Sequence, residues 1–499
     1  MKLSSIILAL TSLAQAAQYS DDDYRSGRVH EMVLNRKESQ ESFARHKANG
    51  DHDSRKWPSW SRWGQRGNWR QRNDHIKCRD GLAVAEAGNA NQTFRCNNVD
   101  MYDFKSHADL GSWGGEGSDT WGWVSDTGRE FVAIGQFDGT AFAEITNKGK
   151  LVYLGRLPQQ SVGSVWRDMK GFGHYLVVGS EAIGSGVQIF DWTKLLNLDP
   201  ASPKNFSTTS DLTGFYDGLP VGRSHNLVIN EELGYGVAVG AAPRNDSCAA
   251  GLIFLDLSDP TNPTSPGCTG QDGYVHDAQC LVYHGPDTKY EGVDICYGFN
   301  EDTLTIYDVT NKTGFNTSKV ISKTTYEGAS YTHQGWVLDK DWQDILFLND
   351  ELDELDGAGL AANGQPVTYI FDISSLEAPI WTGYYHSSNV KSIDHNMYVQ
   401  NGLTYQSNYG SGLRIWDVSG VREDPTGGNV EEVAFFDIYP EDDHLEGGGE
   451  VEFVGTWGNV PFFPSGFIFV NTIERGGFVV KMSKFSKQAS GKWWKRRMT

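Results

Sequence analysis

The sequence predicts an all-β fold, a seven-bladed β-propeller of four-stranded blades with an N-terminal closing strand and a disordered basic leader. Three observations predict it. The composition is rich in turn-formers and rings, 57 Gly with 12% aromatics, and its apolar runs are short, which favours strands joined by turns. A strand-like run ending in Asp recurs at VQIFDWT (Asp191), LIFLDLS (Asp256), LTIYDVT (Asp308), YIFDIS (Asp372) and LRIWDVS (Asp417), with FAEITN (Glu144) and FVVKMS (Lys481) as degenerate copies. Seven copies define seven units of about 45–60 residues, the length of a propeller blade. A histidine beside Asn, Asp or Gln also recurs at the mouth of an apolar run, at His225, His276, His333 and His395.

Taken in order, residues 1–17 (MKLSSIILALTSLAQAA) read as a secretory signal peptide, with one Lys, an apolar stretch and small residues before the cleavage point. Residues 18–75 are polar and poor in aliphatics, and read as a disordered leader or pro-segment. Residues 76–110 form a cysteine-containing segment. Its NVDMYDF run is expected to be a strand that closes the ring as the outer strand of the last blade, because FVVKMS supplies only a third strand there and an open edge would remain. The propeller spans 111–483, and 484–499 is a basic tail. The repeated aspartates are expected to be structural, accepting hydrogen bonds from the turns that follow their strands.

Six cysteines, an even number without a CxxC spacing, suit an oxidising compartment, and the simplest pairing joins neighbours: Cys78–Cys96, Cys248–Cys268 and Cys280–Cys296. Asn-x-Ser/Thr acceptors at Asn91, Asn205, Asn245, Asn311 and Asn316 fit the same route. The net charge of −21 spares two basic stretches, 55–72 and 481–497, so the body is strongly acidic and expected to repel nucleic acid and anionic membranes. No run resembles a transmembrane helix. The expected partners are an extracellular ligand, glycan or protein, met by a secreted, monomeric chain that is either free or associated with a cell wall.

In the blade frame the histidines share one address, the start of the innermost strand. Blades one, two and seven are expected to carry Trp121, Trp166 and Trp457 there. The loop after each second strand opens on the same side and brings acids: Asp138, Glu181, Glu301, Asp350, Glu351 and Glu474.

The ordered motifs FRCNNVDMYDF, TGREFVAIGQFDGTAFAEIT, SHNLVIN, HDAQCLVYHGPD, NEDTLTIYDVT, YTHQGW, NDELDE, DHNMYVQ, YPEDD, FFPSG and IERGGFVV resemble those of the choice-of-anchor B family of LVIVD-repeat propellers, from about Cys78 to Met482. That resemblance implies a secreted or surface-held propeller. It assigns no activity.

The leading functional expectation is therefore a secreted propeller that binds a ligand or partner through a His- and acid-lined axial face. The alternative is a metal-dependent extracellular enzyme, an oxidase or hydrolase, built on His225, His276, His333 and His395, since imidazole suits Fe, Cu or Zn. In that case Asp277 and Asp394 are expected to orient the rings. The acid-rich NDELDELDG loop raises Ca²⁺ as a further candidate through oxygen ligands. The bland reading is that the histidines hydrogen-bond neighbouring backbone and lock adjacent blades. No G-x-S-x-G, H-E-x-x-H or P-loop motif is present, and no catalytic residue is assigned.

Overall fold

Each repeat folds as an antiparallel sheet because its short alternating runs can bury one face only against the next blade. The computed structural model describes residues 18–39, 75–387 and 390–483. Seven sheets form the propeller, each with four blade strands, which run in sequence order from the axis outward in blades one to six. The inner strands are Gly117–Val124, Arg167–Phe172, Asn226–Asn230, Asp277–Val282, Thr332–Val337, Met397–Gln400 and Thr456–Val460. Blades one, three and six carry additional short outer strands, and those of blade six come from the hairpin of the 76–110 segment. The apolar clusters lie between successive blades.

Ring closure follows the expected route. Val99–Ser106 pairs antiparallel with Gly476–Met482 as the outer strand of blade seven, with a bulge between Met101 and Asp103. On the inner side, Asn471 Nδ2 donates to Ser118 O (2.8 Å), tying the last blade to the first. The repeated aspartates act within their own turns. Asp191, Asp256, Asp308, Asp372 and Asp417 each accept, through Oδ1, the backbone N–H two residues on, at 2.8–3.0 Å. The three expected cysteine pairs are at bonding distance. Cys280 and Cys296 are also directly opposed across two strands.

The leader requires a correction. Its first part is ordered: α1 (Asp21–Ser26) and α2 (Arg28–Ser39) are helices. A reciprocal capping pair of Ser20 and Asp23 starts α1, and Gly27, in the left-handed region (φ 81°), ends it and turns the chain into α2. Tyr24, Val29 and Val33 are buried against Tyr331, Leu352, Ile393, Tyr409, Phe453 and Trp457. The expected signal peptide, the remainder of the leader (40–74) and the basic tail lie outside the described residues. Among the described residues, no helix is long and apolar enough to cross a membrane. Asn91, Asn205, Asn245 and Asn311 are exposed. Asn316 is half-buried and accepts the Gly270 N–H through its side chain (2.8 Å).

Candidate functional site

The inner strands of blades three to six place four imidazoles side by side at one mouth of the central channel. Neighbouring ring centroids are 4.3 Å apart for His225–His276, 4.2 Å for His276–His333 and 4.4 Å for His333–His395. Trp457 of blade seven continues the arc at 5.3 Å from His395. Strand register puts different residues at the same address in the first two blades. Arg167, not Trp166, starts the paired inner strand of blade two, and Ser118 lies within the bulge of blade one. Trp166 packs half-buried in the cluster that receives α1 and α2. Trp121 lies at the opposite mouth.

Backbone carbonyls orient two of the rings. His276 Nδ1 lies 2.8 Å from His333 O, and His395 Nδ1 lies 2.6 Å from Trp457 O. A carbonyl only accepts, so in both rings Nδ1 carries the proton. The same bonds join one blade to the next, as the bland reading expects. Asp277 and Asp394 do not orient the rings as expected. Asp277 accepts the Ala278 N–H and Gln334 Nε2 (2.7 and 2.9 Å), and the Asp394 N–H donates to Glu354 Oε1 (3.2 Å).

Two of the expected acids reach the histidines. Glu351 Oε1 lies 3.5 Å from His395 Nε2, and Oε2 lies 3.7 Å from His333 Nε2. Tyr409 Oη donates to Glu351 Oε1 (2.5 Å). Glu181 Oε1 lies 2.9 Å from His225 Nδ1, and its other oxygen is paired with Arg223. Burial works to raise the Glu181 carboxyl, but His225, His30 and Arg223 outweigh it and hold it down at about 2. The remaining acids serve the scaffold because a donor stands closer. Asp138 pairs with Arg156 (2.7 Å), Glu301 takes both guanidinium nitrogens of Arg244 (2.7 and 2.8 Å), and Glu474 accepts the Gly455 N–H. Asp350 accepts the N–H groups of Ser330, Tyr331, Leu352 and Asp353. Burial raises its carboxyl to about 6, and these bonds oppose the shift.

The residue that sequence reasoning missed is His30, on α2. It is buried, its Nδ1 lies 2.7 Å from Tyr331 Oη, and its Nε2 lies 3.9 Å from Glu181 Oε1. Desolvation holds it well below the usual imidazole range, so it enters the cluster neutral. The sequence signal was the capping pair Ser20–Asp23 ahead of Val29 and Val33, one helical turn apart on an otherwise polar segment. Tyr24 Oη donates to Ser330 O (2.8 Å) and Arg244 donates to Tyr24 O (2.9 Å), fastening the helices over the mouth.

Two groups of side chains thus have ligand atoms close enough to share an ion, within 4.8 Å of one another: His30, Glu181 and His225, and His276, His333 and Glu351. They differ in charge balance. The first holds an ionised carboxylate already matched by Arg223 and His225. In the second, His395 Nε2 stands 3.5 Å from a Glu351 oxygen that also accepts from Tyr409 Oη, and where Glu181 has Arg223, Glu351 faces the imidazoles of His333 and His395. That spacing, with 3.7 Å for His333, is close to the ~3.3–3.4 Å between ligand atoms of a tetrahedral site with bonds of ~2.0–2.1 Å.

No family model matches the chain, and no curated protein matches it. Among solved structures it is similar to the β-propeller domain of Myceliophteria thermophila Cps50 (Swd1), with 11% identity over 73% of this chain and 96% of that one, and a TM-score of 0.42. It is also similar to the computationally designed Ika8 protein, with 10% identity over 82% of this chain and 95% of that one, and a TM-score of 0.42. Likenesses at this level carry no ligand or activity to this chain. On its own strand topology the protein is a seven-bladed β-propeller with a His- and Glu-lined channel mouth.

Proposed function

We propose that this is an extracellular metal-binding propeller whose His276, His333, His395 and Glu351 hold one divalent transition-metal ion on the channel axis. The observation that carries the reading is geometric: His276, His333 and Glu351 each bring a ligand atom within 4.8 Å of the others, and His395 Nε2 lies 3.5 Å from the same Glu351 carboxylate while its Nδ1–H is held by Trp457 O. Fixing one ring nitrogen by a backbone carbonyl and offering the other is how metal-ligating histidines are usually oriented. Three imidazoles with one carboxylate and no thiolate suit Zn, Cu, Fe or Ni, and disfavour Ca²⁺, which takes oxygen ligands. Secretion and membership of the choice-of-anchor B family belong to the same proposal. They are supported by the N-terminal apolar stretch, the ordered motifs and three cysteine pairs at bonding distance.

A metal that turns over substrate keeps an open, reachable position. Here α1 and α2 cover the mouth, so the proposal is of a binding protein, and substrate could reach the metal only if the helices lifted. The test is equilibrium dialysis of metal-stripped protein against Zn²⁺. Glu351→Gln and His276→Gln should each lose at least about tenfold in affinity while keeping the melting profile. Stripped wild-type protein that takes up no metal would remove the proposal.

A further inference from the structure

At the other end of the channel the inner strands finish around an open cavity of about 940 Å³, within the range of small-ligand sites. Its walls include Trp121, Trp336 and Phe462, all half-buried. The two indoles stand nearly perpendicular to the buried Tyr398 ring, at 5.9 and 5.1 Å between centroids, which fixes their planes. The floor is polar. Lys170 Nζ donates to Asp168 (2.6 Å) and Asp119 (3.2 Å) and lies over the Trp121 ring at 5.5 Å. Beside it, Asp277 is held by Gln334 Nε2 (2.9 Å).

We propose that this second mouth binds a neutral oligosaccharide, independently of any metal at the first. The charges exclude the alternatives in turn. An anion entering the cavity meets Glu231, Glu232, Asp339 and Asp341 at the rim, which outnumber the exposed Lys340, while the rim's Arg422 is already paired with Asp344 (2.7 Å). A cation reaching the floor meets Lys170, which already occupies the cation position over Trp121. A wholly apolar ligand would strip water from Lys170 and Asp277 without replacing its hydrogen bonds. A sugar fits all three constraints. Its C–H face lies on an indole, and its hydroxyls both accept from Lys170 and donate to Asp277.

Calorimetric titration of the full-length protein at pH 7 tests this, using linear neutral tetrasaccharides of glucose, mannose, xylose and N-acetylglucosamine. Tetramethylammonium and citrate serve as charged probes. The expected result is saturable binding of at least one tetrasaccharide and of neither charged probe. Trp336→Ala should weaken binding roughly tenfold or more, and Trp336→Phe should recover part of the loss. If Trp336→Ala does not fold, Asp277→Asn supplies the same reading at the floor. Binding of no tetrasaccharide, preference for a charged probe, or wild-type affinity in the folded variants would each overturn the proposal.

Discussion

At one mouth of the channel the inner strands begin with His225, His276, His333 and His395 beneath α1 and α2. At the other they end around Trp121, Trp336 and Asp277, in a cavity that no described residue closes. Both mouths bury ionisable groups, and they settle the cost differently. The open mouth balances Lys170 against Asp168 and Asp119. The sealed mouth sets imidazoles against Glu351, the arrangement proposed to hold a cation, and an apolar helical face packs over it. Low polarity strengthens every electrostatic contact beneath that face.

The largest effect should come from the seal. Val29 is fully buried, and Val29→Asp would place an unpaired carboxylate against the apolar mouth. Hydrogen exchange around Tyr331 and Trp457 should then accelerate by roughly 10²-fold or more, while Asp277–Val282 at the open mouth keeps its protection. Equal acceleration at both mouths would show that the helices support the whole propeller rather than one face of it.

Next in size is Arg244→Ala. It leaves the buried Glu301 carboxylate without its bidentate partner and removes a donor to Tyr24 O. A loss of about 3–5 kcal/mol in denaturant unfolding is expected. A loss below 1 kcal/mol would mean that Glu301 is neutral in the folded protein.

The open mouth should show itself through pH. Asp277 has a folded value of about 6 against an ordinary 3.8, so between those values the native state holds the proton more tightly than the unfolded state. Its contribution to stability therefore falls as pH rises through that window, by up to about 2–3 kcal/mol. Asp350, also near 6, acts in the same direction at the sealed mouth. Glu181, held at about 2 against 4.5, acts oppositely, and its contribution is lost as pH falls below 4.5. Asp277→Asn should flatten the decline in melting temperature between pH 4 and pH 6. An unchanged slope would assign the decline elsewhere. The smallest effect is expected from Lys340→Ala on the exposed rim, within about 0.5 kcal/mol.

How far the sequence foretold each mouth follows from how local the relevant interactions are. The blade aspartates were legible because each bonds only two residues ahead. The closing strand was legible because blade seven lacked a fourth strand of its own. The histidine address was legible because it repeats against the same strand start. Trp121 and Trp166 were misplaced because bulges and register, which leave no mark in composition, decide what faces the axis in blades one and two. Glu301, Asp350 and Glu474 share the histidines' side of the propeller, but their donors are distant in sequence or are backbone N–H groups. The sealing helices went unread because Tyr24, Val29 and Val33 form too small an apolar face to hold a helix without the propeller beneath it.

The most direct test of the proposed metal centre is X-ray absorption on protein loaded with one equivalent of Zn²⁺. The predicted spectrum shows a first shell of nitrogen and oxygen at ~2.0–2.1 Å, with multiple scattering from imidazoles that diminishes in His333→Gln. An oxygen-only shell without imidazole scattering, or a spectrum unchanged by His333→Gln, would contradict it and place the ion among the acidic loops instead.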